Sequence, residues 1–186
     1  MTRWRLLAVP VSGFLVGGLG EPPRGVHAAS AFFDDPSSGR SMALLPGSSA
    51  KGVLREAFRR FSEARTGEGC ATAPDCRCPA CRLFGTSEQP GKIAVRSALV
   101  PAQPDDRTRV AIARSTSTAA REGKALWSER RAWGEEVSLE VETTGALDPE
   151  EAELVELFWA WLRVVGLSVG RGKSTGSGLL TVRAVN

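Results

Sequence analysis

The sequence predicts an α+β fold with the element order β-α-β-β-α-β, the ferredoxin-like arrangement that RNA-recognition domains also use. Two stretches with helical periodicity and four strand-like stretches occur in this order, separated by long insertions. The chain has 186 residues, of which 42% are hydrophobic and 24% charged, so its composition is that of a globular protein. We therefore expect one domain over residues 1–186.

The first strand is predicted over Trp4–Val16, a stretch rich in Leu and Val that ends at a glycine pair. The stretch shares features with a secretory signal, because Arg3 and Arg5 precede an apolar run. Pro10 and Gly13 interrupt that run, and no segment reaches the roughly 18 to 20 uninterrupted apolar residues of a membrane-spanning helix. We therefore interpret it as a strand and expect a cytoplasmic protein without membrane contact.

The first helix is predicted to begin at Ser48 or Ser49, either of which can cap it, and to continue to about Arg65. The residues before it, Gly17–Pro46, have no sustained periodicity and are expected to form a long loop. Apolar residues recur at helical spacing on one side of the helix: Val53, Leu54, Ala57, Phe58 and Phe61. Basic residues lie toward the other side: Lys51, Arg55, Arg59 and Arg60.

The middle of the chain alternates between loops and strands. A loop with four cysteines precedes a predicted strand over Lys92–Val100. The interval Pro101–Gly134 is rich in turn residues and charges, with short strands predicted at Arg109–Ala113 and approaching Trp133. Residues Glu136–Thr143 alternate between apolar and polar side chains, which predicts a strand with one buried face.

The second helix is predicted from its start, Asp148-Pro149-Glu150-Glu151. It combines an Asp cap, a proline in the first turn and acidic residues near the positive end of the helix dipole. The apolar side chains that follow predict a deeply buried face: Leu154, Val155, Leu157, Phe158, Trp161 and Leu162. A glycine-rich loop and a last strand over Leu179–Val185 complete the order.

All four cysteines of the chain lie within a dozen residues, at Cys70, Cys76, Cys78 and Cys81, with the spacing C-x5-C-x-C-x2-C. The turn between Cys78 and Cys81 can place two thiolates on one tetrahedral ion, and the other two cysteines can close the shell. This pattern favours a structural zinc site with no open position for water. Two alternatives stay open at this point: a redox pair at Cys78 and Cys81, or two disulfides in an oxidising compartment.

The glycine-rich loop Gly166–Gly178 contains a Gly-Lys-Ser triplet that invites comparison with nucleotide-binding loops. The phosphate loop requires a glycine where this chain has Leu167, and the loop follows a helix instead of a strand, so we do not expect an ATPase. Glycines still allow a close approach of the backbone to phosphate, although a simple turn is the alternative. The side chains that offer donors there are Arg171, Lys173, Ser174 and Thr175.

Charge and composition restrict the function only weakly. Lys and Arg exceed Asp and Glu by 24 to 21, and the resulting net charge of +3 is too small to indicate a polyanionic partner. A single His, at position 27, and no Tyr leave few residues for acid–base chemistry.

Four motifs occur in a fixed order along the chain: Leu45–Arg55 (LPGSSAKGVLR), Cys78–Gly85 (CPACRLFG), Val110–Trp127 and the loop Gly166–Gly178. In this order they resemble the RAMP superfamily, the repeat-associated proteins of CRISPR effector complexes. The cysteine motif is similar to the zinc-bearing turn of type III backbone subunits. The resemblance implies a modified RNA-recognition fold with a loop insertion over 17–46, a zinc-binding loop over 66–91 and a thumb hairpin over 101–134.

The resemblance also implies the partners and the contacts of the chain. Such subunits stack head to tail along a CRISPR guide RNA, beside other effector subunits, and present the guide to target RNA. By position, the residues expected at guide phosphates are Ser48, Ser49, Lys51, Arg55, Arg171, Lys173 and Ser174. In or beside the thumb, the residues expected near bases are Arg114, Arg121, Trp127 and Trp133, although both Trp residues could instead pack the thumb.

Target cleavage is the activity for which the resemblance fails. Slicing members carry an Asp in the loop between the first strand and first helix, and this chain has Ala28 there, either naturally or by replacement. The nearby Asp34 and Asp35 could bind Mg2+ or be solvated loop residues. Two alternatives stay open: an endoribonuclease that processes CRISPR precursor RNA with His27, and a zinc-stabilised RNA-binding domain outside CRISPR systems.

Overall fold

The computed structural model describes residues 2–17, 24, 26, 28–71, 73–110, 112–113, 118–119, 126–171 and 177–186. Its helices are α1 (Gly47–Thr66), α2 (Pro79–Phe84) and α3 (Pro149–Val165). Its strands are β1 (Arg3–Pro10), β2 (Ala28–Ala29), β3 (Phe32–Asp34), β4 (Ser41–Leu45), β5 (Ile93–Val95), β6 (Ala98–Val110), β7 (Ile112–Ala113), β8 (Thr118–Ala119), β9 (Leu126–Gly134), β10 (Val137–Thr143), β11 (Leu167–Ser168) and β12 (Leu179–Val185).

The first sheet is antiparallel and has the order β11-β12-β1-β10-β5. Strands β1, β5, β10 and β12 occupy the places of the four strands of a ferredoxin-like domain, with α1 between β1 and β5 and α3 between β10 and β12 in the chain. The predicted fold class is confirmed. The register places Leu6 opposite Leu139, and both side chains are buried because alternate residues of each strand face the helices.

The core lies between this sheet and the helices and is rich in aromatic rings. The ring of Phe58 on α1 contacts that of Phe158 on α3 at a centroid distance of 5.1 Å and that of Phe84 on α2 at 5.6 Å. Trp4 of β1 packs against Trp159 of α3 at 5.7 Å. Offset and edge-on ring pairs of this kind add to the free energy gained from burial, so these contacts fix the three helices relative to one another.

The start of α1 differs from the expectation. The cap position is Pro46, and no side chain caps the helix, so Ser48 and Ser49 lie in the first turn instead of at the cap. Gly47 is buried against the backbone that follows β5, and a Cβ there would lie 2.2 Å from the Val95 carbonyl oxygen. Tertiary packing, and not a capping side chain, therefore decides where this helix begins.

The start of α3 matches the expectation. The Asp148 carboxylate accepts from the Glu151 N–H at 2.8 Å, and the Glu151 carboxylate accepts from the Asp148 N–H at 3.1 Å. These two bonds form a reciprocal capping box. The Glu151 side chain is almost fully buried and is paired with Lys92 Nζ, which joins the start of α3 to the start of β5.

The second sheet, β2-β9-β6-β4-β3, corrects three boundaries predicted from sequence. The stretch 17–46 contains β2, β3 and β4, which were expected to be loop; they show no periodicity because they are only two, three and five residues long and pair with different strands. The first strand ends at Pro10, and Phe14 instead pairs with Ala132 of β9. The predicted strand over 92–100 divides between the two sheets after Val95.

Strands β6 and β9 form a long hairpin that projects from the second sheet. Its register runs from Ala102 opposite Gly134 to Val110 opposite Leu126, and the short strands β7 and β8 pair beyond it. This hairpin lies in the interval where the resemblance implies a thumb. Within the part of the chain that the structure describes, no helix is long and apolar enough to cross a membrane.

Candidate metal centre and nucleic-acid interface

The four cysteine sulfurs converge on one point. All four Sγ atoms lie within 4.8 Å of one another, with Cys70 at 3.6 Å from Cys81 and 4.0 Å from Cys76. Thiolates on one tetrahedral zinc at about 2.3 Å would be separated by about 3.8 Å, so the spacing fits a four-thiolate shell. The sulfur distances are far longer than the roughly 2.05 Å of a disulfide bond, which argues against the disulfide alternative. These are the residues predicted as metal ligands.

Two of the four cysteines belong to the hydrophobic core. Cys78 is the cap residue of α2, Pro79 is in its first turn, and Cys81 lies inside the helix with only 1% of its surface exposed. Leu83 and Phe84 of α2 are buried against the rest of the core. A helix therefore begins directly after Cys78, and its apolar side chains pack into the core. An isolated redox pair is disfavoured because two further thiols lie at the same point.

The surroundings of the thiols set their protonation without a metal. Burial raises the pKa of Cys78 to about 12, and burial also raises the pKa of Cys81. The pKa of Cys76 is lowered to about 7, first by a hydrogen bond from the Cys78 backbone and then by one from the Ala71 backbone. A metal must displace protons from the buried thiols, so its affinity should rise with pH.

The first half of α1 presents a positively charged, donor-rich surface. Ser48 and Ser49 are exposed in the first turn, where N–H groups have no carbonyl one turn earlier to bond. The Gly47 N–H donates to Ser97 Oγ at 3.0 Å. Lys51 and Arg55 lie one turn apart; partial burial, and then the charge of Arg55, lower the pKa of Lys51. Among the described residues, no carboxylate forms an ion pair with either cation.

Arg55 also contacts the cysteine site. One terminal nitrogen of its guanidinium donates to Cys81 Sγ at 3.5 Å, across the packed surfaces of α1 and α2. The side chain is half-buried. The structure thus places one residue predicted at RNA phosphates beside a residue predicted at the metal.

The glycine-rich loop is fixed at its base by the segment that follows β1. The exposed Arg171 donates its backbone N–H to the Leu15 carbonyl at 2.8 Å, and the Gly178 N–H donates to the Gly13 carbonyl at 3.1 Å. Gly170 has φ of 76°, and a Cβ there would lie 2.2 Å from the Leu15 carbonyl oxygen, so glycine is required at this close approach. Two residues predicted at RNA phosphates, Lys173 and Ser174, lie outside the described residues.

Two hairpin arginines, which the sequence analysis missed, hold the end of this loop. Ser177 Oγ accepts from Arg109 of β6 at 3.2 Å and from Arg131 of β9 at 3.3 Å. Arg131 is also paired with Asp105, and Arg109 lies 3.3 Å from Glu129. The register places Asp105 directly opposite Arg131, whereas Arg109 lies opposite Trp127 and reaches Glu129 diagonally. The alternating charges of the two strands are therefore the signal that the sequence analysis missed.

The two thumb tryptophans differ. Trp127 is half-buried, and its Nε1 donates to Glu129 at 3.1 Å, so it packs within the hairpin. Trp133 has 49% of its surface exposed and lines an open cavity of about 850 Å³ with Arg40 and Gln103. Arg114 and Arg121, also predicted near bases, lie outside the described residues.

Comparison with known proteins identifies the family of this chain. The model of the RAMP superfamily matches residues 37–181, most of the chain. The chain belongs to the RAMP superfamily. The cryo-EM structure of the Type III-B Cmr-beta bound to cognate target RNA is similar in fold, with a TM-score of 0.66 and 15% sequence identity; the match covers all of this chain and 60% of that one. No curated protein matches the chain by sequence.

Ala28, which the resemblance places where slicing members carry an Asp, lies on an edge strand. Ala28 is in β2, which pairs in parallel with β9 and places Ala28 opposite Glu129. Asp34 is exposed in β3, opposite Ser41, and Asp35 accepts from the hydroxyl groups of Ser37 and Ser38. Those hydrogen bonds, first that from Ser38, lower the pKa of Asp35. His27 lies outside the described residues.

The structure gives little support for a magnesium site at Asp34 and Asp35. The hydroxyl groups of Ser37 and Ser38 already surround the Asp35 carboxylate in a turn. Within the described part of the chain, the cysteines are the group of three or more potential ligands that could hold a metal ion. The geometry around Asp35 is that of a solvated loop residue.

Proposed function

We propose that this RAMP-superfamily chain binds a CRISPR guide RNA as a repeating subunit of a type III effector complex directed at target RNA, with further copies of itself and other effector subunits as partners. The similar Cmr-beta structure has a target RNA bound. A structural zinc ion in the four-cysteine site would fix α2 against α1. The free thiols suit the reducing cytoplasm.

The observation that carries this proposal is the start of α1. Exposed hydroxyls at Ser48 and Ser49, first-turn N–H groups and the cations Lys51 and Arg55 lie together within the first three turns of one helix. A helix N-terminus with added cations favours phosphate, because both the helix dipole and the side chains attract negative charge. The exposed Arg171, at the base of the glycine-rich loop, offers a further donor.

The contact to bases is proposed for Trp133. Its ring is half exposed beside Arg40 and Gln103 at the junction of the two sheets. An exposed indole offers a face on which a base can stack without regard to its identity, as in other single-stranded RNA sites. Trp127 is held by Glu129 and is assigned to hairpin packing instead.

The function is tested by the RNA that accompanies the purified chain, alone and with its neighbouring subunits. Sequencing should recover short RNAs of uniform length that share a repeat-derived segment. RNA of random sequence would instead indicate a general RNA-binding domain. A preparation that retains no RNA and binds no synthetic guide in the presence of the other subunits would overturn the proposal.

Cleavage of target RNA is proposed to be absent because Ala28 offers no carboxylate. Replacing Ala28 with Asp should permit Mg2+-dependent cutting of RNA paired to the guide, measured as fragments on a denaturing gel. Asp34→Asn in the same background is the matched control, because it removes an exposed carboxylate on β3 that belongs to no metal-ligand cluster among the described residues. If Ala28→Asp yields no fragments, the rest of the site does not support cleavage and the chain is a natural non-cutter.

A further inference from the structure

The contact between Arg55 and Cys81 joins the two sites described above. Arg55 lies in the third turn of α1, and its guanidinium reaches across to a sulfur with 1% of the residue exposed. The next arginine along the helix, Arg59, is engaged instead by Glu56 and Glu63, at 3.0 and 2.8 Å. Among the described residues, Arg55 is the guanidinium that donates a hydrogen bond to a cysteine sulfur.

A closed four-thiolate zinc site needs such a donor. Zinc and four thiolates carry a net charge of about −2, and two of these ligands belong to the hydrophobic core, so water can offset little of that charge. An N–H directed at a metal-bound sulfur orients the ligand and offsets part of its charge. A guanidinium stays protonated at all relevant pH values, which makes it a permanent donor.

We propose that Arg55 is a positioning residue of the metal centre: its N–H bond to Cys81 orients the thiolate that zinc binds and balances the charge of the four-sulfur shell. This inference rests on the metal site of the proposed function, and it gives Arg55 a task that does not require RNA. Lys51, one turn earlier and without a sulfur partner among the described residues, remains the cation directed at phosphate.

The test measures zinc affinity in RNA-free protein by competition with a chromophoric chelator. Arg55→Ala should weaken zinc binding by about 10- to 100-fold, the usual effect of losing a hydrogen bond to a metal ligand. Lys51→Ala is the matched control, because it removes a neighbouring cation from the same helix; its zinc affinity should stay within about threefold of wild type. Arg55→Lys, which keeps a charged donor, should restore part of the loss.

A second measurement separates this role from a general loss of packing. Cobalt(II) bound to four thiolates gives a charge-transfer absorption band, whose energy depends on hydrogen bonds to the sulfurs. In Arg55→Ala this band should shift, and in Lys51→Ala it should not. Circular dichroism of both variants shows whether each is folded.

The outcomes distinguish the inference from the proposed function. Unchanged zinc affinity and an unchanged cobalt band in Arg55→Ala would overturn the positioning role, whatever that variant does to RNA binding. A wild-type chain that binds no zinc would contradict the metal centre and this inference with it, while leaving guide-RNA binding to be judged by its own experiment. Weaker zinc binding of Arg55→Ala together with normal RNA binding would support a role of Arg55 in the metal centre alone.

Discussion

The two halves of α1 carry similar positive charge and use it differently. In the second half, Glu56 accepts from Arg59 at 3.0 Å and from Arg60 at 2.9 Å. In the first half, Lys51 and Arg55 have no carboxylate partner among the described residues, and Arg55 points at a cysteine sulfur. One helix thus has a self-neutralised end and an end whose cations are available to other groups.

This difference follows from spacing. Ion pairs on a helix form between residues three or four apart, and Glu56 and Glu63 stand at those distances from Arg59. The positions three and four residues from Lys51 hold Gly47, Ser48, Leu54 and Arg55, none of them acidic. A basic helix face therefore indicates a binding function only at those cations that have no acidic partner on the same helix.

The largest effect is expected from removing the metal site beside the first half of α1. Replacing Cys78 and Cys81 with Ser should abolish zinc binding and lower the free energy of unfolding by about 4 kcal/mol or more, since loss of a structural metal is among the most destabilising changes. Metal content and chemical denaturation measure this. Treating the wild-type chain with a strong chelator is the control and should reproduce the loss. A double variant as stable as wild type in the presence of zinc would contradict the metal centre.

An intermediate effect is expected from reversing one charge in each half. Lys51→Glu should weaken guide-RNA binding by about tenfold and reduce the dependence of log affinity on log salt by about one unit, because one phosphate contact is lost. Arg60→Glu changes the net charge by the same amount at a position already paired with Glu56, so its affinity should stay within about twofold. Titrations at several salt concentrations measure both.

Equal losses in the two charge-reversal variants would break the comparison between the halves. They would show that RNA senses only the total charge of the chain, as expected for non-specific attraction.

The smallest effect is expected from breaking the ion pairs in the second half of α1. A hydrogen bond from Arg59, with a further one from Arg60, lowers the pKa of Glu56 from 4.5 to about 2. A lowered pKa contributes stability that is present above about pH 4.5 and is lost as the pH falls toward about 2. Because the Glu56 side chain is 42% exposed, solvent screens the pair, and Glu56→Gln should cost only about 0.3 kcal/mol at neutral pH.

Thermal unfolding between neutral pH and pH 3 tests this expectation. The difference between Glu56→Gln and wild type should narrow as the pH falls. Glu68→Gln, at an exposed position just after α1, is the control and should match wild type throughout. A difference that widens in acid would contradict the assigned direction of the pKa shift.

The cysteine site shows how far sequence reasoning reaches. The spacing of the four cysteines predicts a shared metal, and the sulfurs do converge. The spacing does not indicate that Cys81 lies in a helix of the core or that Arg55 would approach it from α1, because both depend on contacts between segments 26 residues apart. Local patterns contain no information about such contacts.

The second sheet shows where sequence reasoning fails. Its strands β2, β3 and β4 were expected to be loop, since each is too short for alternation to be visible. Strand β2 pairs with β9 and β4 pairs with β6, both more than 50 residues later in the chain, whereas β3 pairs with its neighbour β4. The place of Ala28 in β2 could therefore not be predicted from sequence, although the resemblance had singled out that residue.

By itself the sequence determined the features that depend on near neighbours along the chain. These are the buried face of α1, the capping box at Asp148 and Glu151, the alternation of β10 and the ferredoxin-like order of elements. Periodicity, caps and i,i+4 pairs act within one or two turns, so residue types reveal them directly. Only the tertiary structure decided that α1 begins at Gly47, that Ser177 is held by Arg109 and Arg131, and that Arg55 meets Cys81. These features depend on packing between distant segments, which is fixed only when the whole core forms.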